Sequence, residues 1–68
     1  MALTLVVNGA QQVVEASGSL TEVMVALGVE PSRVAVELNG EIVRRADWGG
    51  AAVKSGDKLE IVHFVGGG

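Results

Sequence analysis

Two Asn-Gly pairs, Asn8-Gly9 and Asn39-Gly40, constrain the fold of this chain more than any other feature. Both residues of such a pair accept positive φ, so Asn-Gly between β-rich runs closes a two-residue hairpin. The first pair separates Leu3–Val7 from a second strand expected over Gln11–Ala16. Its register stays open, because Val13 and Val14 are adjacent and only one can face a core. The second pair follows Arg33–Leu38, where Val34, Val36 and Leu38 alternate with Arg33, Ala35, Glu37 and Asn39. That period of two describes a half-buried strand. Glu41–Arg44 supplies a short strand to pair with it.

Between the hairpins the period changes. Ser17-Gly18 interrupts the chain, and Ser19-Leu20-Thr21-Glu22 reads as a capping box. The Ser19 hydroxyl would accept from the Glu22 amide, and the Glu22 carboxylate would reach back to the Ser19 amide. Leu20, Val23, Met24 and Leu27 form one apolar helical face. Gly28 is placed to end the helix in the left-handed region, with Pro31 shortly beyond. A helix of two to three turns persists only when packed against a sheet. Downstream, Gly49-Gly50 implies loop within Arg45–Val53, with Trp48 anchoring it on the core. Ser55-Gly56-Asp57 is a turn, and Lys58–Val65 is the last strand. The order points to one α+β domain: a mixed sheet of four to five strands with one main helix on one face. Residues 1–65 form the expected domain and 66–68 a flexible tail.

With 68 residues and no cysteine, the chain has no disulfide and no thiolate metal site, so apolar packing must hold it. The 49% hydrophobic content allows that. A net charge of -3 speaks against nucleic acid, which needs clustered Lys and Arg. No apolar run approaches the ~18 residues that span a bilayer, and the start lacks a secretory pattern, so a cytoplasmic protein is expected.

Catalytic constellations are sparse. His63 is alone in the last strand without a nucleophile in its sequence neighbourhood. Asp47, Asp57 and Glu60 have no metal-ligand spacing with it. Gly49-Gly50 belongs to no phosphate-binding fingerprint. Arg44-Arg45, the one basic pair, reads as a solvated turn. The chain is therefore expected to be no enzyme and to bind no cofactor of its own.

The end of the chain, Gly66-Gly67-Gly68, is different. Glycines after a strand have nothing to pack, so a disordered or extended tail is expected. Composition alone leaves open whether it is an ordinary frayed end. As a working end, it would thread a narrow cleft that side chains obstruct. Three extended residues reach about 10 Å beyond a fold. If Leu59 and Ile61 face the core, Val62 and Phe64 lie on the opposite face beside the tail. An exposed Val62–Phe64 patch would then dock a partner; a covered sheet would instead make Phe64 core.

These segments resemble the ThiS-type sulfur carriers of thiamine biosynthesis, in the ubiquitin-like β-grasp family. The resemblance rests on the first strand ending in Asn8-Gly9 and on Leu38-Asn39-Gly40-Glu41-Ile42-Val43 leading through Arg45 to Asp47-Trp48. It continues in Gly56-Asp57-Lys58-Leu59-Glu60-Ile61-Val62-His63 and Val65-Gly66-Gly67-Gly68. It implies that an adenylyltransferase related to ubiquitin-activating enzymes uses ATP to form an acyl-adenylate on Gly68. Sulfur from a cysteine-derived persulfide then leaves a thiocarboxylate, which thiazole synthase consumes. Gly66 and Gly67 would be the threading stem. Two departures stand out: Arg44, where many relatives carry proline, which should only loosen a turn, and a third glycine, Gly66. Carriers for molybdopterin synthesis or tRNA thiolation share this fold and tail, as do ubiquitin-like modifiers of lysines. A non-covalent β-grasp interaction module, with idle glycines, is the alternative of a different class.

Overall fold

Both Asn-Gly pairs form the turns they encode. In a computed structural model describing residues 1–64, Asn8 and Gly9 have φ of 49° and 82°, and Asn39 and Gly40 have 52° and 87°. Successive positive φ values of this kind match the right-handed twist of the flanking strands. The first turn joins β1 (Ala2–Val7) to β2 (Ala10–Glu15), and the second joins β3 (Val34–Leu38) to β4 (Glu41–Val43). The last strand, β5 (Lys58–His63), lies between the hairpins and makes the sheet order β2-β1-β5-β3-β4. It runs parallel to β1, with Val7 beside Leu59, and antiparallel to β3, with Val36 beside Ile61. Val65 of the expected last strand and the glycines 66–68 fall outside the described residues.

The hairpin register decides between the adjacent valines. Leu3 pairs with Val14 and Thr4 with Val13, so Val14 joins the core and Val13 stays 70% exposed. The core face carries Leu3, Leu5 and Val7 from β1, Val34 and Val36 from β3, and Leu59 and Ile61 from β5. Against it packs α1 (Leu20–Ala26), through Leu20, Val23 and Met24, with Leu27 half-buried at its end. Leu5, Leu20, Met24 and Leu59 are at most 1% exposed. Each such side chain contributes roughly 1.5–3 kcal/mol by leaving water. The arrangement is the ubiquitin-like β-grasp: one helix held in the concave face of a mixed five-stranded sheet.

Half of the expected capping box forms. The Glu22 amide donates to Ser19 Oγ at 3.2 Å. The Glu22 carboxylate does not reach the Ser19 amide; it accepts instead from the hydroxyls of Ser17 and Ser19. Two hydroxyls within reach offer that carboxylate partners already, and they hold the loop entering α1 closed. Gly28 ends the helix at φ 73°, its amide donating to the Val25 carbonyl.

The segment after β4 corrects the loop expected from Gly49-Gly50. Arg45–Gly50 winds as a 3₁₀ run. Its one buried residue is Trp48, whose Nε1–H donates to the Val43 carbonyl at 3.0 Å. That single anchor, apolar body inside and indole N–H satisfied, holds the run against the sheet end. Arg44, which precedes it, has φ -67°. Proline imposes the same φ, so arginine here keeps a backbone that the expected proline would also adopt.

Candidate functional site

The site is assembled where β5 ends. β5 is central, and β3 pairs with it to its last residue while β1 pairs only with its first two. On one side the Phe64 amide donates to the Arg33 carbonyl at 2.8 Å, one step past the Val34–His63 pair. On the other side β1 has already turned away at Asn8. The Asn8 side chain replaces the missing strand: its Oδ1 accepts from the Ile61 amide at 2.6 Å, and its Nδ2 donates to the Ile61 carbonyl at 3.0 Å. Those are the two bonds that a continuing strand would have made. Phe64, four residues before Gly68 in the sequence, is thus held to the sheet by its backbone.

At that point β5 alternates as the sequence implies. Leu59 and Ile61 are buried in the core, while Val62 and Phe64 are 60% and 62% exposed on the opposite face. Phe64 is not core, so the covered-sheet alternative is set aside. The same open face carries Val13 on β2 and Ile42 on β4, each at least 70% exposed. Sequence reading missed both. Each is recoverable from parity: Val13 lies across from Thr4, and Ile42 across from Glu37, on the face away from the helix. Val13 is at the opposite end of the sheet, and Glu37 and Glu60 lie between Ile42 and Val62, so the candidate contact surface is the Val62–Phe64 pair. Of the tail residues Gly66, Gly67 and Gly68, all lie outside the described residues.

The other candidate residues are placed as follows. His63 is exposed and borders a shallow hollow of about 210 Å³ between the end of α1 and β5. The hollow is lined by Val7, Asn8, Gln12, Leu27, Gly28, Val29 and Ile61 besides His63, with neither a carboxylate nor a hydroxyl. Among the described residues no three His, Cys, Asp or Glu come together as a metal site, and no helix is long and apolar enough to cross a membrane. Arg44 and Arg45 are exposed, as a solvated turn requires.

Asp57 departs from its reading as a turn residue, being 5% exposed. Its carboxylate accepts from the Lys54 amide at 2.9 Å, from Asn39 Nδ2 at 3.1 Å and from Lys54 Nζ at 3.4 Å. Burial pushes the Asp57 carboxyl up. The Lys54 amide, the Asn39 amide and the Lys54 ammonium together outweigh that effect and hold it below the usual carboxylate range. Asn39 also accepts from the Lys58 amide at 2.9 Å, so Asp57 and Asn39 tie the second hairpin to the start of β5. This is a fold clamp at the end of the sheet opposite the tail.

Comparison with known proteins adds a family. The family model described as the ThiS family matches residues 4–68. A crystal structure of a thiamine biosynthesis protein (ThiS) from Geobacter metallireducens is 39% identical. It superimposes with a TM-score of 0.81, covering 97% of this chain and all of the other. A solution structure of a thiamine biosynthesis protein from that organism gives 0.78 at the same identity, covering 97% of this chain and 88% of the other. Two curated relatives are named thiazole synthase. The one from Paramagnetospirillum magneticum is 46% identical over 97% of this chain, and the one from Magnetococcus marinus 39% over 90%. The chain spans only about a fifth of the length of these two relatives (20% and 19%).

Proposed function

Since this chain belongs to the ThiS family, we propose that it is a sulfur carrier of thiamine biosynthesis, a protein co-substrate rather than a catalyst. The observation that carries the reading is the family match running through residue 68, on a chain whose exposed Val62 and Phe64 flank the approach to its terminal glycines. The names of the thiazole synthase relatives support thiazole formation, over molybdopterin or tRNA thiolation, as the use of the sulfur.

The chemistry follows from what a main-chain carboxylate lacks. It is a poor electrophile until a good leaving group is attached. An adenylyltransferase of the ubiquitin-activating type supplies one: the Gly68 carboxylate attacks the α-phosphorus of ATP and expels pyrophosphate. The outer sulfur of a cysteine-derived persulfide then attacks the acyl carbon and AMP departs. A thiol cleaves the resulting acyl disulfide, is itself oxidised to a disulfide, and leaves a thiocarboxylate on Gly68. Thiazole synthase takes that sulfur as a nucleophile. Gly66 and Gly67 form the stem that passes the cleft, and the folded body, through Val62 and Phe64, is the handle.

The test is pyrophosphate exchange. An adenylyltransferase of this type, given ATP and labelled pyrophosphate, should return label to ATP only when this chain is present. Removing Gly67 and Gly68 should abolish the exchange while leaving binding of the body. Undiminished exchange with the shortened chain would overturn the assignment of Gly68, and no exchange with the full chain, on an enzyme that binds it, would favour an interaction module with idle glycines.

A further inference from the structure

The arginines are distributed in a way the function above does not use. The protein carries a net charge of -3 and has three arginines, Arg33, Arg44 and Arg45. They are distant in sequence from the tail, yet the sheet brings all three to the end where β5 finishes. The Arg33 carbonyl accepts from the Phe64 amide. β4 runs antiparallel to β3, with Val43 beside Val36, so Arg44 and Arg45 follow at the end of β3 that faces His63. Two strand spacings separate β4 from β5, about 10 Å. Arg44 keeps an extended backbone (φ -67°, ψ 144°), so it stands two residues beyond Ile42 on the open face. All three arginines are exposed, and among the described residues none is in an ion pair.

The acidic groups near them are Glu30 and Asp47, and Glu37 and Glu60 lie paired on the open face itself, Glu37 beside Ile42 and Glu60 two residues before Val62. The Glu30 carboxylate accepts from Ser32 Oγ at 3.4 Å, and Asp47 is exposed within the 3₁₀ run. Glu15, Glu22, Glu41 and Asp57 belong to the far end of the sheet or to the start of α1, and both lysines, Lys54 and Lys58, are at that far end too. All three guanidinium groups are thus at the end where β5 finishes and both lysines at the other, while carboxylates are spread over both ends and the middle of the sheet. Arginine stands at the same end as the exposed Val62 and Phe64, and aromatic and arginine side chains are enriched in protein interfaces.

We propose that Arg33, Arg44 and Arg45 form a basic collar that docks on a carboxylate-lined rim around the cleft of the loading adenylyltransferase, orienting the chain tail-first. This rests on the carrier reading above. Guanidinium forks match carboxylates bidentately, and a charged rim acts mainly on the rate and orientation of encounter. Against an acidic rim, the end that holds all three arginines is the one that can pair with it.

Stopped-flow association with an adenylyltransferase that loads the wild-type chain tests it. R44E/R45E should associate about 10-fold more slowly at low salt, with the deficit shrinking as salt rises and loading at saturation unchanged. R44K/R45K should restore most of the rate. Equal association rates for wild type and R44E/R45E at low salt would overturn the collar. So would a slower rate that salt leaves unchanged, or tight, arginine-dependent binding of a single-stranded oligonucleotide in place of the enzyme. Failure of the wild-type chain to be loaded by any such enzyme strikes the carrier reading instead.

Discussion

Asn8 should be worth more to this fold than its exposed position suggests. Its amide makes two bonds to the backbone of Ile61, at 2.6 and 3.0 Å, and Ile61 is only 7% exposed. Replacement by glycine keeps the positive φ of 49° accessible and removes only the amide. Each bond contributes about 1 kcal/mol net, and more where its buried partner is left without water, so Asn8→Gly should cost about 2 kcal/mol. Asn8→Ala adds roughly 1 kcal/mol for a side chain held in the left-handed region. Small domains have only about 3–5 kcal/mol in hand, so the alanine variant should be close to unfolding at room temperature. Urea titration read by Trp48 fluorescence gives both numbers, since Trp48 is the one tryptophan and is buried. At a urea slope near 1 kcal/mol/M, the glycine variant should shift the midpoint by about 2 M. Hydrogen exchange at the Ile61 amide should accelerate in the same variant. A midpoint within about 0.5 M of wild type would refute the view that a side chain completes the sheet here.

Two further predictions concern the clamp and the patch. Asp57 has a depressed pKa in the fold, so its contribution is present above the carboxylate range and is lost as pH falls through its folded pKa. The thermal midpoint of wild type should therefore exceed that of Asp57→Asn at neutral pH, and the two should converge below about pH 4, followed by calorimetry. Phe64→Ala should leave stability within about 1 kcal/mol, because the ring is largely exposed, while weakening binding to the adenylyltransferase in titration calorimetry. Global unfolding of that variant would contradict the placement of Phe64.

What sequence could reveal followed the range of the interactions involved. The Asn-Gly turns were legible because positive φ is tied to residue type. The apolar face of α1 and the alternation in β3 and β5 are local periodicities. The split between Val13 and Val14 was not local; it waited on the pairing of Leu3 with Val14 across the hairpin. Arg45–Gly50 hid its 3₁₀ winding because no apolar period marks it; Trp48 with its bond to Val43, and the backbone bonds from Asp47 to Arg44 and from Ala51 to Trp48, hold it. The second roles of Asn8 and Asn39 and the burial of Asp57 depend on partners 18 and 53 residues away in the chain. The Val62–Phe64 side of the site was readable from strand parity. The arginine collar was only half legible: the second hairpin returns Arg44 and Arg45 to the start of β3, but the pairing of β3 with β5, which sets them by the end of β5, is not local.

The central claim is that Gly68 carries sulfur, and intact mass spectrometry tests it most directly. The chain is incubated with an adenylyltransferase of the ubiquitin-activating type, ATP, a persulfide donor and a thiol. Replacement of one carboxylate oxygen by sulfur should add about 16 Da, with fragmentation confining the gain to the terminal residue. No gain with an enzyme that binds the chain, or the same gain on a chain lacking Gly68, would contradict the account.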